Sequence, residues 1–250
     1  MKNTSIYFYK LINKVVRKIG LTFSFSSDGE DLILSKILAG INNGKYIDIG
    51  SHHPIKHSNT FSFYLKNWSG ICIDPLPGLN SKYKILRSKD LFLNVGISAD
   101  SKVNKMIFYY FKRNPDNSTF DKERVKDLKN IYGRMPSEKI KIKLISIKEI
   151  AQMKTFIEFN STIHLLNLDI EGFEKEILVS FFSEKIFPWV ICVEDLGLLT
   201  DDIYKSKIDI LMKKNNYALG MKTFLSSIYI YKPSISKLKS PYVKEWKFEK

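Results

Sequence analysis

The stretch Gly44-Lys45-Tyr46-Ile47-Asp48-Ile49-Gly50-Ser51 decides how the rest of the chain is read. Tyr46, Ile47 and Ile49 are β-prone and apolar, the composition of a short strand covered on both faces, as in a parallel sheet. Asp48 interrupts that run. A carboxylate in such a strand costs several kcal/mol to desolvate unless it is paired, so its presence asks for a reason. Gly50 lets the backbone turn sharply or approach a ligand, and the small Ser51 keeps the turn uncrowded. His52 to Thr60 then carries polar groups to the carboxyl edge of the sheet, where open α/β sheets bind their ligands.

Working outward toward the N-terminus, residues 1–22 set Ile6, Phe8, Leu11, Ile12, Val15, Val16 and Ile19 against Lys10, Lys14, Arg17 and Lys18, an amphipathic basic helix. Two fates are open to it: packing against the domain, or lying on an anionic membrane surface. Ser27 with Glu30 reads as a capping box for a helix over 31–39. On the other side of the strand, Ser58-Asn59-Thr60 supplies an N-cap for a helix through Phe61, Phe63, Tyr64 and Leu65. Ile71-Cys72-Ile73 is the second strand, ending in Asp74 about 25 residues after the glycine turn. That spacing fits a sheet whose second acid accepts the two ribose hydroxyls of a nucleoside.

Further on, a helix over 79–86 leads to a third strand over 91–97, with Asn94 as its polar member. An aromatic run at 106–111, a loop at 114–120, a charged helix over 123–132 and an edge strand over 140–145 follow. A short helix begins at Ile147. A fourth strand, 163–169, closes on Asp169 and precedes a helix over 173–180; a fifth, 189–193, closes on Glu194 and Asp195. A helix over 203–214 and two late strands, 217–220 and 227–231, complete the sheet, and 233–250 is a tail that wraps or frays. The expected organisation is an N-terminal helix over 1–24, one domain over 25–232 and the tail.

Composition bounds the partners. The net charge is +14 from 40 basic and 26 acidic residues, yet only Arg17, Arg87, Arg113, Arg124 and Arg134 are arginines. Base-reading proteins favour the planar arginine fork, so a lysine excess points to a solvated surface or an anionic contact and away from nucleic acid. Cys72 and Cys192 each sit in an apolar run and read as buried, reduced side chains. No stretch approaches the roughly 20 apolar residues of a membrane span, and no cleavage site follows an apolar N-terminal core. A cytoplasmic protein, membrane-peripheral if the first helix binds lipid, is expected; its oligomeric state is left open.

Asp48, Asp74, Asn94, Asp169 and Glu194 all stand at strand ends, and in a parallel sheet those ends share one edge. Their convergence predicts a polar cleft. No Gly-x-Gly-x-x-Gly follows the first strand, so a dinucleotide pyrophosphate lacks its cradle, and no phosphate-binding loop for a nucleoside triphosphate is present. A nucleoside without a pyrophosphate remains, a description S-adenosylmethionine fits.

The runs Tyr46-Ile-Asp-Ile-Gly-Ser-His-His-Pro54, His57-Ser-Asn-Thr60, Phe63-Tyr64, Trp68-Ser-Gly-Ile71, Ile73-Asp-Pro75, Asn94-Val-Gly-Ile-Ser98, Asn117-Ser-Thr-Phe120 and Asp169-Ile-Glu-Gly172 closely resemble the FkbM-type S-adenosylmethionine-dependent methyltransferases, over about residues 25–232. The resemblance implies an α/β class I (Rossmann-like) methyltransferase fold, a mostly parallel seven-stranded sheet with helices on both faces. It also implies O-methylation, often of a sugar in a glycan or a glycosylated metabolite. On it, Asp48, Gly50 and Ser51 match the cofactor turn, Asp74 the ribose acid, and Asn94 with Val95 the adenine edge. His57, Asn59, Thr60, Ser118 and Thr119 fall toward the acceptor. Ser51 replaces the alanine common in the family, a sterically mild change.

A sugar hydroxyl needs a base or a metal to lose its proton. His53 and Asp169 are the expected bases, with Glu171 as orienter. Asp169 and Glu194 are the oxygen donors that would hold a divalent ion, although a metal-free site is the favoured expectation. The rival readings are a non-catalytic nucleoside-binding scaffold and a nicotinamide-dependent sugar oxidoreductase. The aromatic, lysine-rich segment 106–145 is expected to shape the acceptor site.

Overall fold

A computed structural model describes residues 4–160, 162–170, 172–195 and 206–245. Its centre is β1 (Lys45–Ile49), parallel to β2 (Ser69–Ile73) on one side and to β7 (Leu165–Leu168) on the other. β3 (Leu91–Leu93) extends the sheet beyond β2, and β8 (Val190–Glu194) extends it beyond β7, again in parallel. β10 (Ser226–Tyr231) runs antiparallel between β8 and β9 (Tyr217–Lys222), giving a seven-stranded order β3-β2-β1-β7-β8-β10-β9. The order reverses at β1, so a crevice opens above the carboxyl ends of β1 and β7.

Alternation along β1 assigns the two faces. Ile47 and Ile49 join Ile147 and Ile150 of α6 (Ile147–Ala151), Ile177 and Phe181 of α8 (Glu174–Ser183) and Met212 of α9 (Lys207–Lys214). Tyr46 points the other way, with Cys72 and Cys192, toward Leu34 and Ile37 of α2 (Glu30–Ile37), and toward Leu79 and Tyr83 of α4 (Leu79–Leu86). The C-terminal segment wraps onto this second face: Leu238, and Val243 of α10 (Pro241–Glu245), are buried in it. Residues 246–250 lie outside the described residues. Helices thus cover both faces, which is why the central strands read as near-continuous apolar runs.

The third strand, expected to be continuous over 91–97, is broken after Leu93. The Asn94 amide donates to the carbonyls of Asp74 and Leu76, both at 2.8 Å, and turns the chain out of the sheet. β4 (Gly96–Ser98) then enters a second, three-stranded sheet in order β4-β6-β5, with β6 (Glu138–Ser146) and β5 (Lys105–Tyr110). The lysine-alternating strand expected at an edge is therefore the middle strand of that sheet. α2 is not started by a Ser27 capping box. Gly29, in the left-handed region, is its N-cap, and Glu30 is buried, its Oε1 accepting from the Thr223 hydroxyl at 3.0 Å. Thr60 is the N-cap of α3 (Phe61–Leu65) without a side-chain cap bond, and Ser58 Oγ, two residues earlier, accepts from the Phe61 amide at 3.1 Å. α1 (Thr4–Lys18) lies against α3 through Ile6 and Tyr9. Among the described residues no helix is long and apolar enough to cross a membrane.

A buried polar hub ties α4 to the sheet. The Arg87 guanidinium, with no exposed surface, donates to Asp90 at 2.6 Å, the Tyr46 hydroxyl at 2.8 Å, Thr60 Oγ1 at 2.9 Å and Ser58 Oγ at 3.3 Å, and it faces Asp48 at 4.0 Å. Asp48 itself accepts from the Thr60 hydroxyl and from Asn167 Nδ2 at 2.9 Å. Burial pushes its carboxyl up, and Arg87 is the strongest influence pulling it back. Replacing Arg87 with Met would keep the volume and leave two acids uncompensated, a loss of about 3–5 kcal/mol. Urea denaturation of Arg87→Met should show that loss; a midpoint equal to that of the parent protein would mean the hub carries no stability.

Candidate functional site

The cleft at the carboxyl edge encloses about 380 Å³. Its floor is the turn after β1. Gly50 has φ 77°, and its amide and that of Ser51 both donate to the Ile73 carbonyl, at 2.9 and 3.2 Å. A Cβ on Gly50 would stand 1.6 Å from the Asp169 carbonyl oxygen, so β7 can close on the turn only because no side chain is there. The Ser51 carbonyl accepts from the Tyr83 hydroxyl at 3.0 Å, while the buried Ser51 Oγ has no protein partner.

One wall is Asp74, at the end of β2. Its Oδ2 accepts from the His52 amide and its Oδ1 from the Leu76 amide, both at 2.8 Å. Among the described residues no cation pairs with it, and burial raises its carboxyl to about 7, with the two backbone donors opposing. Each oxygen retains lone-pair capacity toward the cleft. Beside it runs an apolar slot of Ile73, Pro75, Leu76, Val95, Ile97 and Phe120. Gly96 shapes that slot, since a Cβ there would meet Leu144 at 2.4 Å and the Phe120 ring at 2.7 Å.

The opposite wall is acidic. Asp169 and Glu194 share a hydrogen bond, and burial raises Asp169 to about 6, helped by the charges of Glu174, Asp48 and Glu30. Glu174 anchors the turn between them and α8, accepting from the amides of Ile170 at 3.0 Å and Gly172 at 3.1 Å. Among the described residues no group of three or more metal-ligating side chains occurs. The rim holds His52, whose Nε2 lies 3.2 Å from Asp116, and His57, whose Nδ1 pairs with Ser27 Oγ at 3.1 Å. Burial lowers the His52 imidazole, and the Asp116 charge opposes that shift.

The residues read from the sequence divide into those that line this cleft and those that support it. Gly50, Asp74, Val95, His57, Ser118, Thr119, Asp169 and Glu194 line it. Asp48, Asn59 and Thr60 sit behind it: the Asn59 amide donates to Asn167 at 2.8 Å, and Thr60 has no exposed surface. Asn94 holds the 74–76 turn from beneath. Ser118 and Thr119 spend their hydroxyls on the amides of Phe111 and Asp121, both at 3.0 Å. His53 is turned into its own loop, with Nδ1 accepting from the amides of Ile55 at 3.2 Å and Lys56 at 3.1 Å, and it is His52 that lines the cleft. Glu171 lies outside the described residues. His52, Asp116 and Phe173 are cleft residues that the sequence reading passed over, because nothing local separates His52 from His53 or ties Asp116 to either.

The sheet order, the single antiparallel strand and the cleft above β1 and β7 define a Rossmann-like methyltransferase fold. The methyltransferase FkbM domain model matches residues 48–219, more than half the chain, and the chain belongs to that family. No protein of curated function matches it.

Gly50 and Gly78 have similar φ, 77° and 80°, but a Cβ on Gly78 would meet nothing within 4 Å. Gly78→Ala should therefore cost only the left-handed strain, about 1–2 kcal/mol, and Gly50→Ala clearly more. Thermal unfolding of both variants checks this, and equal losses would show that the approach of Asp169 to the turn does not matter.

Proposed function

We propose that the protein is an S-adenosylmethionine-dependent O-methyltransferase that acts on a sugar hydroxyl of a glycan or glycosylated metabolite. The observation that carries this reading is Asp74, a buried, cation-free carboxylate at the mouth of an apolar slot. Its chemistry suits a ribose whose base lies along Ile97 and Phe120. The Ser51 hydroxyl, which has no protein partner, is a donor that the turn offers to the rest of such a ligand.

S-adenosylmethionine, when bound, would supply a methyl group on a sulfonium and a neutral thioether leaving group. The chain's task is then alignment and proton removal. Asp74 accepts the ribose hydroxyls, and Ile73, Val95, Ile97 and Phe120 keep water from the slot. Asp169, held by Glu194, takes the proton from the acceptor hydroxyl. His52, fixed by Asp116, joins the β1 turn to the 115–120 loop and faces the acceptor. The acceptor enters between His52, His57 and Phe173, where polar rings and an aromatic edge suit a sugar. The donor set of this reaction requires no metal.

Asp169→Asn should lower kcat at least about a hundredfold while S-adenosylhomocysteine affinity stays within a few-fold. Unchanged turnover would remove Asp169 as the base, and in that event His52→Ala should carry the loss. Activity should survive EDTA. Ribose hydroxyls bond the ionised form of Asp74, so S-adenosylhomocysteine affinity should rise as pH climbs from 6 to 8 through the value of about 7. Calorimetric affinities flat across that range would mean that Asp74 does not meet the ligand.

A further inference from the structure

α1 has more apolar surface than its contact with the domain uses. Ile6 and Tyr9 face inward, Tyr9 with ring centroids 5.6 Å from Phe61 and 6.1 Å from Phe25. Tyr7, Leu11 and Val15, spaced four apart, form a second stripe of α1 that is 68, 47 and 53% exposed, continued just past the helix end by Ile19 at 69%, and Phe8 stands beside it at 57%. Four-residue spacing puts them on one face, and that face is turned to solvent.

A groove lies along the flank of the same helix. Lys10 and Lys14 of α1 line it with Lys36 of α2 and Lys66 after α3, and Phe23, Leu32 and Leu65 form its apolar part. No carboxylate lines it among the described residues. Lys66 donates to Ser35 Oγ at 2.8 Å and Lys10 to Asn67 Oδ1 at 3.2 Å.

We propose that this face seats the protein on an anionic phospholipid bilayer, with the Tyr7-Leu11-Val15-Ile19 stripe in the acyl boundary and the lysine groove holding a phosphate-bearing headgroup. An apolar helix face bordered by lysines is what an interfacial helix requires. Charge complementarity decides the occupant. A second copy docked through the same face would bring both lysine sets together, whereas an anionic surface neutralises them and suits a chain of net charge +14. The inference does not depend on the reaction assigned above, since none of these residues lines the cleft.

The full chain should be sedimented with phosphatidylglycerol–phosphatidylethanolamine vesicles and with phosphatidylcholine vesicles, at low and high salt. The expected result is at least tenfold more protein bound to the anionic vesicles, falling steeply with salt. Lys14→Glu combined with Lys36→Glu, and Leu11→Asp combined with Val15→Asp, should each bring binding to background while circular dichroism and S-adenosylhomocysteine affinity stay those of the parent. Equal binding to neutral vesicles, or none to either, overturns the proposal without variants. So does light scattering that shows a dimer broken by the Leu11 and Val15 changes, which would make a second copy the occupant. Inorganic phosphate binding to the groove without any vesicle binding would overturn it in favour of a free anion.

Discussion

Burying Asp48 inside the central strand is the constraint from which the rest of the site follows. The carboxylate is affordable only because Thr60 and Asn167 donate to it and because the Arg87 guanidinium faces it from a position fixed by Asp90 and Tyr46. Those partners come from β7, from the start of α3 and from the end of α4. Satisfying one acid therefore locks three elements against β1. Three tyrosine rings, of Tyr46, Tyr64 and Tyr83, stand 5.4 to 5.6 Å from the guanidinium carbon and close the hub against water. Within that low-dielectric space the polar groups reinforce one another, and removal of any one leaves others stranded.

The cleft is the other end of the same arrangement. Two residues past Asp48, the chain turns at Gly50 with the Asp169 carbonyl pressed against it, so the hub that aligns β1 with β7 also sets the distance between the turn and the acidic wall. Tyr83, which packs on the hub, hydrogen-bonds the Ser51 carbonyl and stacks on Phe92 with centroids 4.1 Å apart, carrying the same order to β3. The binding edge is thus preorganised by interactions that never reach it. Burial raises two of its own acids, Asp74 and Asp169, and suits them to ligand hydroxyls and proton transfer.

What the sequence made legible was local. The Tyr46 to Ser51 run carries strand, acid and turn in consecutive residues, and Asp74 follows a short apolar strand at a telling distance; both landed at the cleft or just behind it. The late hairpin and the helix over Leu79–Leu86 were equally plain from alternation and periodicity. What stayed hidden depends on partners distant in the chain. Arg87 reads as one cation on a lysine-rich surface until the fold brings it to Asp48. The break after Leu93 is set by carbonyls of Asp74 and Leu76, and the helix start at Gly29 by Glu30 reaching Thr223 nearly two hundred residues on. Which of His52 and His53 has its imidazole captured by its own loop and which lines the cleft is set by backbone geometry that the sequence does not display. Asn59 and Thr60 were read as acceptor contacts because they are polar and near the turn, whereas the buried acid needed them more.

The measurement that bears most directly on the account is amide hydrogen exchange of the whole protein with and without S-adenosylhomocysteine. The account predicts added protection in the turn after β1, in residues 73–76 and 94–98, in the 115–120 loop and around Asp169, with α1 and the amino edge of the sheet unchanged. Protection confined to other surfaces, or none at saturating ligand, would contradict the claim that a buried acid in β1 organises a nucleoside cleft at the carboxyl edge.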